Sequence, residues 1–180
     1  MSTTATRELF GGAITATLPT SLIDASDLRQ VPDTQEVFLY PDSSVSIIVE
    51  ILQCVEPTEA ADIAKFHFES LAHDNDAVEK TVLEVCQPTS EGSGNPPSLP
   101  ITLRGTQLVC KFNHAHPDEL QILLAVYRLK EQNVDLVVSM NVPIKTSDGA
   151  TTTANDFTAA RETFSAAVES LRIVDYGLFA

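Results

Sequence analysis

The stretch VSIIVEILQ, residues 45 to 53, decides the class of fold. As a strand it would carry apolar side chains on both of its sides: Val45, Ile47, Val49 and Ile51 on one, Ile48 and Leu52 on the other. A strand of this kind belongs in the interior of a sheet that is covered on both faces. The sequence must therefore supply further strands beside it and other elements above and below it.

Further strand patterns lie on either side of this stretch. They are an alternating run from Gly12 to Leu18 that Pro19 stops, then EVFLY (36–40), AVEKTVLEVCQ (77–87), GTQLVCKF (105–112) and a long hairpin over 119–143. We expect that hairpin to turn near Glu131 to Asn133.

Two segments have helical periodicity. Pro57, Glu59 and Asp62 favour a helix start, because proline is tolerated in the first turn and acids there suit the helix dipole. The expected buried stripe of this helix is Ala60, Ile63, Ala64, His67 and Leu71, and that of a last helix beginning near Asn155 is Phe157, Ala160, Phe164, Val168 and Leu171. The sequence therefore predicts an α+β fold, with a mostly antiparallel central sheet of about six strands sandwiched between helices.

The domain organisation follows from length and local composition. A chain of 180 residues can bury one sizeable core. We expect residues 1–8 to be a flexible amino-terminal segment and residues 9–180 to form a single domain. The stretch 88–100 is rich in proline, glycine and serine, which predicts an exposed variable loop.

The net charge of -14 is the unusual feature of the composition. Such a chain is repelled by nucleic acid and by anionic membrane surfaces, and it is attracted to basic protein surfaces. No secretory signal and no apolar run of about 20 residues is visible, which favours a nuclear or cytosolic protein. Cys54, Cys86 and Cys110 are odd in number and lie among apolar neighbours, so we expect free, buried thiols.

The acids cluster near the front of the chain. Between Gln30 and Ala64 there is no Lys or Arg, yet the segment carries seven acids: Asp33, Glu36, Asp42, Glu50, Glu56, Glu59 and Asp62. Glu50 lies among apolar residues within a strand, where a buried charge is costly, so we expect it where the sheet face is uncovered. This pattern is typical of a binding patch, although a strand-end Glu that reaches solvent would give it as well.

Possible catalytic and metal-binding groups are weaker signals. Asp24 and Asp27 would lie on one side of a helical turn, as a carboxylate pair for acid-base chemistry or, more simply, as helix caps. His114 and His116 form an H-x-H pair with no third ligand nearby, which favours a solvated loop over a metal site. His67 on the helix stripe is expected to be a core histidine with one satisfied nitrogen. No phosphate-binding loop or nucleophile motif is present, so the sequence predicts neither a catalytic site nor a cofactor.

Several blocks of sequence carry a resemblance to a known family. They are LFGGAITATLP (9–19), IDASDLRQVPDTQEVFLYPD (23–42), SIIVEILQ (46–53), KFHFESLA (65–72), LLAVYRLKEQNVDLVVSMNVP (123–143) and RIVDYGLFA (172–180). In this order and spacing they resemble the Ran guanine nucleotide release factor family, the Mog-type proteins of nuclear transport.

The resemblance implies a fold, a partner and a site. The fold would be a PsbP-like α/β/α sandwich, and the partner would be the small GTPase Ran, whose bound nucleotide the family helps to release. A monomer of the nucleus and cytoplasm is expected. The implied Ran-binding residues are Asp24, Asp27, Asp33, Gln35, Glu36, Glu50 and Gln53. Gln53 departs from the family, which often has an acid at that place.

Overall fold

The computed structural model describes residues 2–88, 96, 99–110 and 115–180. Most of the predicted loop 88–100, and His114 of the H-x-H pair, lie outside the described residues. The strands, in chain order, are β1 (Thr4–Leu9), β2 (Ile14–Pro19), β3 (Ile23–Asp24), β4 (Gln35–Leu39), β5 (Ser46–Gln53), β6 (Ala77–Cys86), β7 (Ile101–Val109), β8 (Asp118–Leu129), β9 (Val134–Lys145) and β10 (Arg172–Ile173). The helices are α1 (Ala60–Asp74) and α2 (Ala154–Ser170).

The strands form two antiparallel sheets. The large sheet has seven strands in the order β3-β4-β5-β9-β8-β7-β6, and the small sheet has the order β1-β2-β10. β5 lies inside the large sheet between β4 and β9, as its two apolar sides predict. The α+β class and the antiparallel central sheet are confirmed; this sheet has seven strands where about six were expected, and the small sheet is additional.

Helices cover the large sheet on both faces. α1 packs on one face against β6, β7 and β8, and a Cβ added to Gly105 of β7 would come within 2.7 Å of the Phe68 ring. α2 and the small sheet cover the other face, where Thr17 N–H donates to Ser170 Oγ over 2.7 Å. The predicted sandwich is therefore confirmed, with the small sheet as an addition to one of its outer layers.

Three local expectations were wrong. Residues 1–8 were expected to be flexible, but most of them belong to β1, which pairs with β2 from Thr4 to Leu9. The composition of this segment does not show that a neighbouring strand stabilises it. Thr153, not Asn155, caps α2 by accepting the Asp156 N–H at 3.1 Å. The cysteines are free, but Cys86 and Cys110 are exposed because they lie at and just beyond the ends of strands β6 and β7.

The β8–β9 hairpin turns where the sequence predicts. A helical turn over Lys130–Gln132 leads to Asn133, whose positive φ of 56° closes the connection. Asparagine tolerates this left-handed conformation better than most residues. Neither helix, over the residues described, is long and apolar enough to span a membrane.

Candidate functional site

The α1 face of the sheet is incompletely covered at its β4–β5 end. Along β5, Ile47 and Val49 face the α2 side and are almost fully buried, whereas Ile48, Glu50 and Leu52 on the α1 side are only partly buried. The difference arises because α1 packs against β6, β7 and β8, on the opposite half of the sheet. Glu50 therefore lies where the sheet face is open, as its position among apolar residues predicts.

Glu50 is held by its neighbour on β4. Gln35 and Glu50 are directly paired across the two strands, and Gln35 Nε2 donates to Glu50 Oε1 over 2.7 Å. Because the amide fixes one carboxylate oxygen, the charge of Glu50 is held in one place at the open face. An acid already held in this way loses little side-chain entropy when a partner binds.

Asp33 lies beside Gln35 and Glu50, on a turn that backbone hydrogen bonds hold in place. Gln35 N–H donates to Pro32 O and Ile51 N–H donates to Thr34 O, both over 2.9 Å. Asp33 and Thr34 thus form the corner of a tight turn that extends the pairing of β4 with β5, and Asp33 is exposed. The turn presents the carboxylate to solvent on rigid backbone.

Glu36 points to the other side of β4 but still reaches the sheet edge. Its Oε1 accepts the Phe10 N–H at 2.7 Å, and Phe10 has a positive φ of 51°, so this bond supports a strained turn between β1 and β2. β3 pairs only with Phe38 and Leu39, which leaves the start of β4 at the edge of the sheet. We call Asp33, Gln35, Glu36 and Glu50 the acidic edge.

The other predicted site residues lie apart from the acidic edge. Asp24 pairs with Phe38, about 10 Å along β4 from Gln35. Its Oδ1 accepts from Ser26 N–H at 2.9 Å and from Ser26 Oγ at 2.6 Å, so it caps the short turn that contains exposed Asp27. Gln53 is exposed at the end of β5, where alternation puts it on the side opposite Glu50.

Sequence reasoning missed an apolar residue beside these acids. Leu28 is 67% exposed although its backbone is fixed, because Leu28 and Arg29 N–H both donate to the carbonyl of fully buried Ala25. An exposed leucine on rigid backbone among acids is typical of an interface. Its sequence, IDASDL, gives no signal, since the same leucine would fit a core position equally well.

A buried ionic network fastens the segment that follows β5. Asp135 accepts from His67 Nε2 at 2.8 Å and from Arg128 Nε at 2.7 Å and Nη2 at 2.8 Å. Arg128 also donates to the carbonyls of Val55 and Pro57, while Asp135 accepts the Val55 N–H. His67 is thus a core histidine with one satisfied nitrogen, as predicted.

The electrostatics of this network keep Asp135 ionised. Burial alone would raise the pKa of Asp135, but hydrogen bonds from Arg128, His67 and the Val55 amide hold it well below its usual value. Burial, followed by the nearby charge of Asp135, raises the pKa of the Cys54 thiol. The ion pair between Arg128 and Asp135 could have been predicted from the sequence, because a hairpin that turns at residues 131–133 places these two residues opposite each other.

Within the described residues, the geometry supports neither a metal site nor a carboxylate catalytic pair. The described residues contain no group of three His, Cys, Asp or Glu side chains arranged to hold a metal ion. Asp24 is engaged as a cap and Asp27 is exposed on a surface turn, which is unlike a buried acid-base pair. The acidic edge instead presents carboxylates whose positions are fixed by hydrogen bonds.

Comparison with known proteins places the chain in a family. The family model described as Ran-interacting Mog1 protein matches residues 7–143. The chain belongs to the Mog1 family. It is 36% identical to the Ran guanine nucleotide release factor of Danio rerio, over 96% of this chain and 98% of that protein. It is 30% identical to the nuclear import protein mog1 of Schizosaccharomyces pombe, over 96% and 99%.

The fold agrees with a solved Mog1 structure. The crystal structure of the Saccharomyces cerevisiae Ran-binding protein Mog1p superposes with a TM-score of 0.78 at 28% identity, over the full length of both chains. A mutant of protein Mog1 superposes with a TM-score of 0.74 at 27% identity, covering 99% of this chain and 100% of that one. The superposition with Mog1p covers the full length of this chain, including the small sheet that the sequence did not reveal.

The hydrogen bond from Phe10 to Glu36 leads to a prediction about the role of this acid. We expect Glu36→Gln to fold like the parent, because glutamine keeps an oxygen for the Phe10 amide, yet to bind the partner severalfold more weakly because the charge is lost. Glu36→Ala should also lose about 1–2 kcal/mol of unfolding free energy, since the Phe10 N–H loses its acceptor. Chemical denaturation and binding titration on both variants measure the two effects. If Glu36→Gln binds the partner as tightly as the parent does, the charge of Glu36 has no part in binding and its role is structural.

Proposed function

We propose that this chain binds the small GTPase Ran through the acidic edge and promotes release of the bound guanine nucleotide, in support of nuclear protein import. The observation that carries the proposal is a set of exposed or partly exposed, positionally fixed carboxylates in a member of the Ran-interacting Mog1 family. Asp24, Asp27 and Gln53 would form the outer part of the same interface. Leu28, exposed next to Asp27 in the sequence, would supply an apolar contact.

Nucleotide release requires unequal affinity for two states of the partner. A protein that loosens a nucleotide must bind the nucleotide-free GTPase more tightly than the loaded one, because only differential affinity shifts an equilibrium. Carboxylates achieve this by engaging Lys or Arg side chains that otherwise hold phosphate, or by disfavouring phosphate and magnesium nearby. In either case the chain acts as a regulator and has no chemical step of its own.

We also propose the oligomeric state and the cellular location of the protein. It would act as a monomer in the nucleus and cytoplasm, without a cofactor and without direct contact to nucleic acid or membrane. The net charge of -14 supports the last two points, because polyanionic surfaces repel it.

A second candidate is an interaction module for another basic protein, in which nucleotide release is incidental. A pull-down from cell extract separates the two, because the proposed function requires Ran among the principal retained proteins. A carboxylate-dependent hydrolase is disfavoured by the capping role of Asp24.

The salt dependence of association tests the acidic edge directly. We expect the association rate with purified Ran to fall clearly as salt rises from low to physiological concentration, where the Debye length shortens to roughly 8 Å. Stopped-flow fluorescence at several salt concentrations measures it. A rate indifferent to salt would mean that another surface meets the partner.

A further inference from the structure

A cleft of about 270 Å³ lies far from the acidic edge, between α2 and the β6–β7 end of the large sheet. It exists because α2 packs against β2, β8 and β9 and leaves β6 and β7 open on that face. In the strand order, β7 is four strands from β4, which corresponds to about 19 Å. The cleft is therefore a separate surface.

Two arginines face each other across this cleft. Arg104 of β7 pairs with Glu84 of β6, so both side chains lie on the α2 side of the sheet. Arg161 and Ser165 are four residues apart on α2 and therefore share the side of the helix that lines the cleft. Thr102 lies two residues from Arg104 on the same side of β7.

The positive charge in the cleft is only partly compensated. Within the described residues, Arg104 Nε is buried without a hydrogen-bond partner, and its ion pair with Glu84 Oε2 spans 3.6 Å. This distance is beyond that of a normal hydrogen bond. Arg161 lies 5.9 Å from the centre of the Phe157 ring and forms no salt bridge within the described part of the chain. Two guanidinium groups and one carboxylate, that of Glu84, line the cleft, which leaves it with a net positive charge in a chain whose net charge is -14.

We propose that this cleft binds a phosphate monoester group. Such a group carries a charge of about -1.5 to -2 at pH 7 and three strong acceptor oxygens, which suffice to accept from both guanidinium groups although Glu84 lines the same cleft. The forked donors of arginine fit phosphate oxygens in pairs, and the hydroxyls of Thr102 and Ser165 are further donors in the lining.

Titration of the intact protein tests the site. Inorganic phosphate and O-phosphoserine are added to isotope-labelled protein at constant ionic strength, with chloride as the background, and backbone amide shifts are followed by NMR. We expect saturable shifts at Thr102, Arg104 and Ser165. Tighter binding of O-phosphoserine would identify a phosphorylated side chain as the source of the group, and equal affinity would identify free phosphate.

Matched variants distinguish a specific phosphate-binding site from nonspecific attraction of phosphate to positive charge. Arg161→Gln and Arg104→Gln should each weaken binding at least about tenfold, because each removes a charge-assisted pair of donors. Arg29→Gln removes one exposed positive charge elsewhere and should leave the affinity unchanged. Arg161 is not engaged in a salt bridge within the described residues, so its variant should unfold at the parent temperature even if Arg104→Gln does not fold. Non-saturating shifts, or parent affinity in Arg161→Gln, would overturn the proposal.

Discussion

A variant with both Asp33→Lys and Glu50→Lys is expected to keep its fold and to lose binding to Ran. Asp33 is exposed on its turn, and Glu50 is a partly buried acid whose main bond is to Gln35. The structural cost should be about 1–2 kcal/mol, mostly from the lost Gln35–Glu50 hydrogen bond. Against a basic partner, two charge reversals should cost several kcal/mol, which lowers the affinity at least about 100-fold.

The control for this variant is Asp42→Lys. Asp42 is also exposed, but it lies in the turn at the other end of β4 and β5, away from the acidic edge. Asp42→Lys reverses one charge where the double variant reverses two, and it should bind within about twofold of the parent, apart from the long-range effect of net charge. Binding titration and thermal unfolding on the same preparations measure both properties. Normal binding by a folded double variant would remove Asp33 and Glu50 from the interface, whereas unfolding would show that Glu50 is a structural acid.

The largest expected loss of stability follows from Asp135→Ala. This change leaves Arg128 and His67 without their shared carboxylate in a buried setting, and such breaks cost about 3–5 kcal/mol. The loss is large beside a typical unfolding free energy of about 5–15 kcal/mol. Asp42→Ala is the matched control and should change stability by less than about 0.5 kcal/mol.

The pH dependence identifies the cause of that loss. The pKa of Asp135 is depressed in the folded chain, so its stabilising contribution is fully present above the ordinary aspartate pKa of about 3.9. It is lost progressively as the pH falls from there toward the folded-state pKa. The difference in unfolding free energy between parent and Asp135→Ala should therefore shrink in acid. A difference that stays constant from pH 7 to pH 3 would attribute the loss to packing alone.

The sequence predicts local patterns in this protein better than the contacts between distant segments. The two-sided apolar pattern of residues 45–53 was enough to predict an interior strand, and Asn133 marked the hairpin turn. β1 was missed because its stability depends on pairing with β2, and its own composition does not mark it as a strand. α1 covers only one half of the sheet face, which no periodicity in the helix could show.

The same limit applies to the candidate site. Adjacent strands with a short turn predict that Gln35 and Glu50 are near each other, and the charge pattern marks Asp33. The bond from Phe10 to Glu36 spans 26 residues and depends on how the small sheet packs, so the sequence alone gives Glu36 only its charge. The exposure of Leu28 likewise depends on the anchoring of Ala25 in the core.

The central claim is that the acidic edge promotes nucleotide release from Ran. The most direct measurement follows the fluorescence of Ran loaded with labelled GTP or GDP, with and without this protein, in the presence of excess unlabelled nucleotide. The account predicts that the parent accelerates release in proportion to its concentration until saturation, that Asp42→Lys does the same, and that the folded Asp33→Lys, Glu50→Lys variant leaves the intrinsic rate unchanged. Release that stays at the intrinsic rate with saturating parent protein would contradict it.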